Sequence, residues 1–338
     1  MSTASMNSST FEHVQSARAL IVGIEGFELS DAEWCLFNEI KPFGFILFKW
    51  NIDSPEQLTR LIASLRSVVG QSDLPILVDQ EGGRVVRLGK PHWPHLPAIG
   101  QLVDEWQDNK LSLIEALRQH ALTTGRLVRR AGFNINCAPV LDVRAACGHD
   151  VVTGDRAFGP TANLVAEYGG VYAAGLREAG VLPVIKHLPG HGRASVDSHY
   201  GLPLVDTPLS ELRQSDFVPF KALNNEKIGM TAHVVFSQID ASRPATTSRR
   251  VIQEIIRDDI GFTGLLLSDD LTMEALDGSA ADRVTQSLEA GCDIVLYCRG
   301  SFDRRAEALC RAPELTRDAK ERAQDALCDL VRIQNGMG

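Results

Sequence analysis

Residues 44–79 read GFILFKWNIDSPEQLTRLIASLRSVVGQSDLPILVD and place a longer amphipathic stretch between two short apolar ones. The stretches 44–48 and 75–79 have the length and the apolar composition of buried strands. Between them, Ser54 and Pro55 form a helix start with proline in the first helical position. A strand, a helix and a second strand in this order predict one unit of a parallel sheet.

The same alternation continues through most of the chain and gives eight predicted strands. They cover residues 19–24, 44–48, 75–79, 134–141, 182–186, 228–234, 265–268 and 293–297. The predicted helices cover residues 31–40, a segment starting at 54, and residues 111–130, 163–179, 209–223, 248–258, 279–290 and 303–333. Eight strands, each followed by a helical segment, predict a closed (β/α)8 barrel of the TIM type. An open doubly wound sheet is the alternative, but residues 24–26 lack the glycine-rich turn that such folds carry after the first strand.

The domain organisation follows from the same pattern. No low-complexity linker interrupts the alternation, so we expect one catalytic barrel domain over residues 1–338. Residues 1–16 contain no basic segment ahead of an apolar one, so we expect a flexible N-terminal tail and no export signal. The connection 80–108 contains three prolines and is expected to be a loop over one end of the barrel.

Composition excludes several classes of partner. The chain has 43 acidic and 34 basic side chains and a formal charge of −9, which argues against binding to nucleic acids and to anionic membranes. No apolar stretch approaches the roughly 20 residues that span a bilayer. The seven cysteines are scattered and form no CxxC pair, which favours reduced thiols. We therefore expect a cytoplasmic protein, monomeric, that acts on a small molecule.

Charged and imidazole side chains collect where the predicted strands end, which is where barrel enzymes place their catalytic groups. They are Asp79, Glu81, Arg84 and Arg87 after the third strand, Asp155 and Arg156 after the fourth, Lys186, His187 and His191 after the fifth, His233 after the sixth, and Asp269 and Asp270 after the seventh. A single one of these ends is as consistent with a structural ion pair as with a function. Five such ends around one barrel mouth favour an active site.

The connection after the fifth strand is long for a loop of its kind, at roughly 20 residues, which is typical of functional or mobile segments. Within it, Asp197 and His199 are two positions apart, and an extended backbone would place both on one side. A carboxylate next to an imidazole tunes the histidine for proton transfer near neutral pH. The alternative is that His199 is a surface-loop histidine without a role.

Four strand ends leave alternatives open. Asp269 and Asp270 follow the seventh strand, where a carboxylate can attack a sugar and form a covalent glycosyl-enzyme. Strand alternation lets only one of the two point into the barrel mouth, and the sequence does not say which. Lys186 is either a Schiff-base lysine or a donor to substrate hydroxyls. Arg87 and Arg156 suit a carboxylate, a phosphate or sugar oxygens.

Together these motifs resemble glycoside hydrolase family 3, and within it the bacterial β-N-acetylglucosaminidases of cell-wall recycling. The matching stretches are VDQEGGRVVR (78–87), NCAPVLDV (136–143), GDRAFG (154–159), KHLPGHG (186–192), DSH (197–199), MTAHV (230–234) and LLSDDLTMEAL (266–276). The resemblance runs in order from about residue 20 to about residue 300. KHLPGHG followed at this distance by DSH is its most specific part.

The resemblance implies a function and a set of roles. The expected reaction is retaining removal of terminal N-acetylglucosamine from anhydro-N-acetylmuramic acid or its peptides, with no cofactor and no metal. Asp269 would be the nucleophile, and His199, assisted by Asp197, the general acid and base. The residues expected to bind the sugar and its N-acetyl group are Asp79, Arg87, Arg156, Lys186 and His187.

Four alternative functions stay open at this point. One is a family 3 β-glucosidase. The second is a metal-dependent barrel hydrolase, with ligands His187, His191, Asp197 and His199. The third is an aldolase-like lyase that uses Lys186, and the fourth is a sugar-binding protein without catalysis. Whether Glu81, Asp142 and His233 do more than support the residues that contact substrate is also open, as is the position of the loop 188–203.

Overall fold

The barrel predicted from the sequence is present in the computed structural model, which describes residues 8–144, 153–194 and 202–336. Its strands, with two further short ones, are β1 Arg18–Val22, β2 Pro42–Leu47, β3 Ile76–Val78, β4 Ile135–Asn136, β5 Leu182–Pro183, β6 Ile185–Leu188, β7 Leu204–Val205, β8 Ile228–Thr231, β9 Val235–Phe236, β10 Leu265–Asp270 and β11 Ile294–Tyr297. Nine of them form one parallel sheet in the order β5-β4-β3-β2-β1-β11-β10-β8-β6. The strands β7 and β9 pair separately.

The barrel closes through one segment of chain, residues 182–188. Its first half, β5, pairs with β4, and its second half, β6, pairs with β8. Between the halves, the Val184 amide donates to the carbonyl oxygens of Asn136 and Ala138, both at 3.0 Å. The predicted fifth strand is therefore two short strands that change partner at Val184. Counted as one, it completes the (β/α)8 barrel, and the fold prediction is confirmed.

Helices cover the outside of the barrel. They are α1 Ser8–Ser16, α2 Asp31–Glu39, α3 Pro55–Val69, α4 Ile99–Trp106, α5 Lys110–Arg130, α6 Ala162–Glu178, α7 Leu209–Gln214, α8 Val218–Ala222, α9 Ala280–Ala290, α10 Phe302–Arg311 and α11 Arg317–Gln334. Single 3-10 turns cover Lys49–Asn51, Gly154–Arg156 and Ala245–Thr247, and a π-helix covers Val251–Asp259. In the part of the chain that the model describes, no helix combines the length and the apolar character needed to cross a bilayer.

The predicted helix starts are confirmed by their caps. The Ser30 hydroxyl accepts from the Glu33 amide, and the Glu33 carboxylate accepts from the Ser30 amide. The Ser54 hydroxyl accepts from the Gln57 amide, with Pro55 in the first helical position. Ser279 caps α9 in the same way. Each cap satisfies amides that the first helical turn leaves without partners.

Four predictions about helices and loops need correction. The helix predicted over 209–223 is interrupted at residues 215–217. There, the Asp216 carboxylate accepts from the Arg193 guanidinium at 2.7 Å. The helix predicted over 303–333 is interrupted at Pro313, which cannot continue it. The predicted loop 80–108 contains α4.

The fourth correction concerns the N-terminus, where the prediction of a flexible tail is wrong for residues 8–16. Helix α1 occupies this stretch, and its Val14 side chain is fully buried. The His13 Nε2 atom donates to the carbonyl oxygen of Phe43 at 3.0 Å. Contact with the rest of the fold therefore stabilises this helix, which the local sequence does not predict. Residues 1–7 lie outside the described part of the chain.

Two apolar layers hold the barrel together, and the strands divide their side chains between them. Leu20 and Val22 of β1 belong to the layer between strands and helices, whereas Ile21 belongs to the barrel interior. The interior cluster continues into α1 and α11, including Leu327, so these helices cover the end of the barrel where the strands begin. The six cysteines in the described residues are free thiols, as predicted, and Cys147 lies outside them.

We predict that Leu327→Ala destabilises the fold because it leaves a cavity where α11 covers the barrel. The Leu327 side chain is 2% exposed, and such truncations cost about 3 kcal/mol of unfolding free energy. Urea unfolding of both variants measures the effect. Leu111→Ala is the control, because Leu111 is 81% exposed and should change stability by less than about 0.5 kcal/mol. Equal stability of the two variants would contradict the role of α11.

Candidate active site

A cavity of about 400 Å³ opens at the end of the barrel where the strands finish. Most of the residues predicted to form the site line it. The wall is formed by Ile46, Phe48, Asp79, Glu81, Arg84, Val85, Arg87, Arg156, Lys186, His187, His191, Met230, Asp269, Asp270, Thr272, Met273, Glu274, Leu296, Cys298 and Arg299. The cavity has the size of a small-molecule site and is dominated by polar side chains.

Five of these side chains form a continuous row of alternating charges, which we call the charge ladder: Arg156, Glu81, Lys186, Asp79 and Arg87. Arg156 binds both Glu81 carboxylate oxygens at 2.8 Å. The Lys186 ammonium lies 2.8 Å from Glu81 Oε1 and 3.1 Å from Asp79 Oδ1. Arg87 closes the row at 3.2 Å from Asp79 Oδ2. Each carboxylate thus lies between two cations.

The charge ladder fixes the protonation of its members. Burial alone would raise the pKa of Glu81 and of Asp79, but the neighbouring cations lower both below their usual values. Burial would lower the pKa of Lys186, but the Glu81 and Asp79 carboxylates raise it above its usual value. Lys186 is therefore a protonated ammonium. A Schiff-base lysine must be a neutral amine, so the charge ladder disfavours the lyase hypothesis.

Asp142 holds the segment that follows Lys186. Its Oδ2 atom accepts from His187 Nδ1 at 2.7 Å, and its Oδ1 atom accepts from the His191 amide at 2.7 Å. Burial would raise the pKa of Asp142, but the two histidines lower it, so this carboxylate is ionised. With Nδ1 bound to Asp142, the His187 ring is fixed on the cavity wall.

Asp269 and Asp270 differ in what their carboxylates do. Asp270 accepts from the amides of Thr272 and Cys298, at 2.9 and 3.0 Å, and from the Thr272 hydroxyl at 2.6 Å. Asp269 accepts from the Asp270 amide at 2.8 Å through Oδ1. Burial would raise the pKa of Asp269, but His233 and His187 lower it. Asp270 is thus a structural anchor, and Asp269 is an ionised carboxylate at the cavity.

The expectation that only one of these two aspartates would face the cavity is wrong. Both border it, because the register between β10 and β11 shifts between Leu267 and Asp270. Three residues of β10 there match two of β11, so β10 carries a bulge. A bulge of this kind re-aims side chains at the end of a strand.

His233 lies behind the two aspartates and outside the cavity wall. Its Nε2 atom donates to the Asp270 carbonyl oxygen at 2.9 Å, and its Nδ1 atom lies 2.7 Å from the Thr246 hydroxyl. Burial lowers the pKa of His233, in spite of the nearby Asp269 carboxylate. A proton on Nε2 fits the contact with the carbonyl oxygen, and His233 supports the backbone that carries Asp269.

The structure brings together six of the eight residues predicted to form the site. Asp79, Arg87, Arg156, Lys186, His187 and Asp269 all border the one cavity. The other two, Asp197 and His199, lie outside the described residues. Asp142 and His233 do not line the cavity, so their position fits a supporting role. Glu81 lines the cavity, so its position also allows direct contact with a bound molecule.

Sequence reasoning missed some cavity residues that a simple signal would have found. Phe48 follows the last residue of β2, and Arg299 comes two residues after β11, so both occupy strand ends like the residues that were predicted. Met273 and Glu274 belong to the loop after β10 and carried no such signal. Within residues 8–144, 153–194 and 202–336, no group of three or more His, Cys, Asp or Glu side chains is arranged to hold a metal ion.

Comparison with known proteins identifies the family of the chain. The model of the glycosyl hydrolase family 3 N-terminal domain matches residues 33–329. The chain belongs to glycosyl hydrolase family 3. A β-hexosaminidase of Stenotrophomonas maltophilia is 38% identical to this family 3 chain over 287 residues, which cover 82% of the chain and 83% of that protein. The family resemblance inferred from the motifs is therefore confirmed.

Two solved structures are similar to this one over almost the whole chain. NagZ from Neisseria gonorrhoeae, in complex with N-trifluoroacetyl-D-glucosamine, has a TM-score of 0.77 and 30% identity, over 94% of this chain and 98% of that one. A family 3 β-N-acetylglucosaminidase from Paenibacillus has a TM-score of 0.82 and 30% identity, over 98% of this chain and 63% of that one.

We predict that His191 makes this family 3 protein lose stability in acid. Burial lowers the pKa of His191 from 6.5 to about 4. Between these values the unfolded chain binds the proton and the folded chain does not, so unfolding free energy falls as pH falls, by up to about 3 kcal/mol. Urea unfolding from pH 7 to pH 4 should show a shallower fall for His191→Asn. His95→Asn, at an exposed histidine, is the control and should keep the wild-type slope. Parallel slopes for His191→Asn and wild type would contradict the prediction.

Proposed function

We propose that the chain is a retaining exo-β-N-acetylglucosaminidase that removes terminal N-acetylglucosamine from peptidoglycan fragments. The observation that carries this proposal is an ionised Asp269 on the wall of a cavity that also presents the charge ladder. A carboxylate is a suitable nucleophile for an anomeric carbon, and paired charges are suitable partners for sugar hydroxyls. The names of the similar proteins, a β-hexosaminidase and a β-N-acetylglucosaminidase, support the identity of the sugar.

The first half of the proposed reaction forms a covalent intermediate. An Asp269 oxygen attacks the anomeric carbon, and the bond to the leaving oxygen breaks as protonated His199 gives that oxygen its proton. Asp197 stabilises the imidazolium before the transfer. The low pKa of Asp269 favours this step, because the carboxylate is ionised at neutral pH.

The second half releases the sugar. His199, now neutral, takes a proton from water as the water oxygen attacks the anomeric carbon, and the bond to Asp269 breaks. Two displacements at the same carbon retain the β configuration. The products are N-acetylglucosamine, the free Asp269 carboxylate and protonated His199, which is ready for the next substrate.

Binding of the sugar is assigned to the charge ladder and to His187. The carboxylate oxygens accept from sugar hydroxyls, and the cationic nitrogens donate to sugar oxygens and to the N-acetyl carbonyl. Each carboxylate in the row is already held by two cations, so little reorganisation is needed when the sugar binds. The residues to which we assign this role are Asp79, Arg87, Arg156, Lys186 and His187, with Glu81 added from its place on the wall.

The biological setting completes the proposal. The substrate is N-acetylglucosamine linked to anhydro-N-acetylmuramic acid, with or without its peptide, and the enzyme acts in the cytoplasm during peptidoglycan recycling. We propose that it works as a monomer with one catalytic domain, and that it uses no cofactor and no metal ion. The free thiols of the six described cysteines are compatible with a reducing compartment.

We predict rapid release of 4-nitrophenol from 4-nitrophenyl N-acetyl-β-glucosaminide, at a rate that a chelator leaves unchanged. The plain β-glucoside should react at least about 100-fold more slowly, because the groups that bind the N-acetyl carbonyl would lose their partner. Asp269→Asn should lower kcat/KM at least about 10⁴-fold. Asp303→Asn, at an exposed position on α10, is the matched control and should behave as wild type.

Each part of this experiment has a result that contradicts the proposal. Equal rates on the two glycosides would indicate a β-glucosidase. Loss of activity with the chelator would support the metal-dependent hydrolase. An Asp269→Asn variant with near-wild-type rates would remove Asp269 from the chemistry, and no release from either substrate would favour a sugar-binding protein.

We predict that the effect of His199→Ala depends on the leaving group. With 2,4-dinitrophenyl N-acetyl-β-glucosaminide, whose leaving group needs no proton, kcat/KM should fall by less than about tenfold. With a disaccharide it should fall about 10²–10⁴-fold, which is the usual contribution of a general acid. His92→Ala serves as an exposed-histidine control. Equal losses on both substrates would exclude His199 as the acid.

A further inference from the structure

A group of buried hydroxyls lies behind the His233 ring, on its Nδ1 side. The Thr246 hydroxyl is at the centre of this group: Thr246 Oγ1 lies 2.7 Å from His233 Nδ1, 2.8 Å from Thr231 Oγ1 and 3.1 Å from the Ala232 carbonyl oxygen. Thr231, His233 and Thr246 are all fully buried. None of the three lines the active-site cavity, so their contacts with one another are in place before a sugar binds.

The backbone holds Thr246 in this position. Thr246 is the middle residue of the 3-10 turn Ala245–Thr247. The Ala245 amide donates to the Val234 carbonyl oxygen at 2.8 Å, and the Cys292 thiol donates to the Thr246 carbonyl oxygen at 3.6 Å. The hydroxyl oxygen is therefore held against the imidazole ring by a fixed turn, whereas the hydroxyl proton can rotate about the C–O bond.

The protons available to these groups define the states of the ring. A carbonyl oxygen can only accept, so the contact with Asp270 requires a proton on His233 Nε2. Besides the Thr231 oxygen, two neighbours can accept the single Thr246 hydroxyl proton: Nδ1 of a neutral ring and the Ala232 carbonyl oxygen. When the proton points to the carbonyl oxygen, Thr246 Oγ1 can accept from a second ring proton on Nδ1.

Rotation of one hydroxyl thus gives both charge states of His233 a hydrogen bond at each ring nitrogen. The neutral ring accepts from Thr246 at Nδ1, the imidazolium donates to Thr246 there, and Nε2 donates to Asp270 in both states. No heavy atom has to move. In Thr246→Val the side chain keeps nearly the same shape but offers Nδ1 no acceptor, and a buried N–H without an acceptor is costly. The imidazolium therefore depends on the Thr246 hydroxyl.

The charge of the ring acts on Asp269. Among the described residues, the titratable groups that face His233 are Asp269 and Asp270 of β10 and His187 of β6. Burial would raise the pKa of Asp269, but His233 lowers it, more strongly than His187 and Lys186 do. Burial lowers the pKa of His233, and Asp269 acts against this effect. The two groups are thus coupled, and an imidazolium beside a carboxylate is the arrangement that their charges favour in acid.

We propose that Thr246 is a positioning residue for the nucleophile: by accepting from Nδ1 it lets His233 take up a proton in place of Asp269, so that Asp269 stays ionised as the pH falls. This inference rests on the proposed role of Asp269. The proton comes from solvent and binds Nδ1, while the Thr246 hydroxyl proton turns from Nδ1 to the Ala232 carbonyl oxygen. The new N–H bond is the only covalent bond that forms, and it breaks again when the pH rises.

The pH dependence of kcat/KM on 4-nitrophenyl N-acetyl-β-glucosaminide tests this inference, because its acid limb reports protonation of the free enzyme. Thr246→Val should move the acid limb to higher pH by about one unit, since Asp269 then takes the first proton. Thr246→Ser keeps the hydroxyl and should keep the wild-type limb. Thr247→Val is the matched control: its hydroxyl belongs to the same turn but donates to the Pro244 carbonyl oxygen at 3.4 Å, so its limb should not move.

Nitrogen-15 NMR of histidine-labelled protein follows the ring directly and needs no catalytic activity. The wild-type His233 ring should carry one proton, on Nε2, at neutral pH and gain a second on Nδ1 at a pH above the acid limb. In Thr246→Val the second proton should bind at a pH lower by about one unit. The signal that is absent from the spectrum of His233→Gln identifies the residue.

The outcomes separate this inference from the proposed function. An acid limb that stays at the wild-type pH in Thr246→Val while kcat/KM falls equally at every pH, or a limb that moves as far in Thr246→Ser, would overturn the inference and leave the proposed function standing. No cleavage by wild type would overturn the proposed function, and the inference with it. If Thr246→Val does not fold, a wild-type His233 ring that stays singly protonated throughout the acid limb would still overturn the inference.

Discussion

The charge ladder is the constraint on which the active site depends, because a buried charge without a partner is costly. Lys186 is its centre: one ammonium group satisfies both Asp79 and Glu81. These carboxylates belong to the chain after β3, and Lys186 belongs to the strand that closes the barrel. Loss of any member would remove one charged partner from each of its neighbours. The same contacts that make the cavity polar therefore also tie the closing strand to the rest of the barrel.

The structure fixes the chain on both sides of residues 195–201, which contain the proposed proton-transfer pair. On the entry side, Asp142 accepts from the His191 amide, and the Arg193 guanidinium donates to Asp216 at 2.7 Å. On the exit side, β7 pairs with β9. The entry side also borders the cavity through His191. Residues 195–201, with Asp197 and His199, thus connect two anchored points of the chain. The entry point is held by the buried carboxylates of Asp142 and Asp216, and the exit point by strand pairing.

Most of the fold could be predicted from alternation and helix caps, since both are local properties of the sequence. The change of partner at Val184 could not, because it depends on hydrogen bonds to Asn136 and Ala138 that are distant in sequence. Helix α1 was missed for the same reason, whereas the break at Pro313 carried a local signal. In the site, strand ends and motifs indicated the charge ladder, but the bulge that brings Asp270 to the cavity beside Asp269 arises from pairing between strands.

The packing of α1 and α11 across the start of the barrel has a practical consequence. Both helices belong to the apolar cluster inside the barrel, on the side opposite the cavity. A bead, a surface or a fluorescent label attached near either helix would therefore sit on the far side from the substrate entrance. The enzyme could be immobilised in this orientation with its mouth facing the solution, and a bulky sugar polymer would still have free access to it.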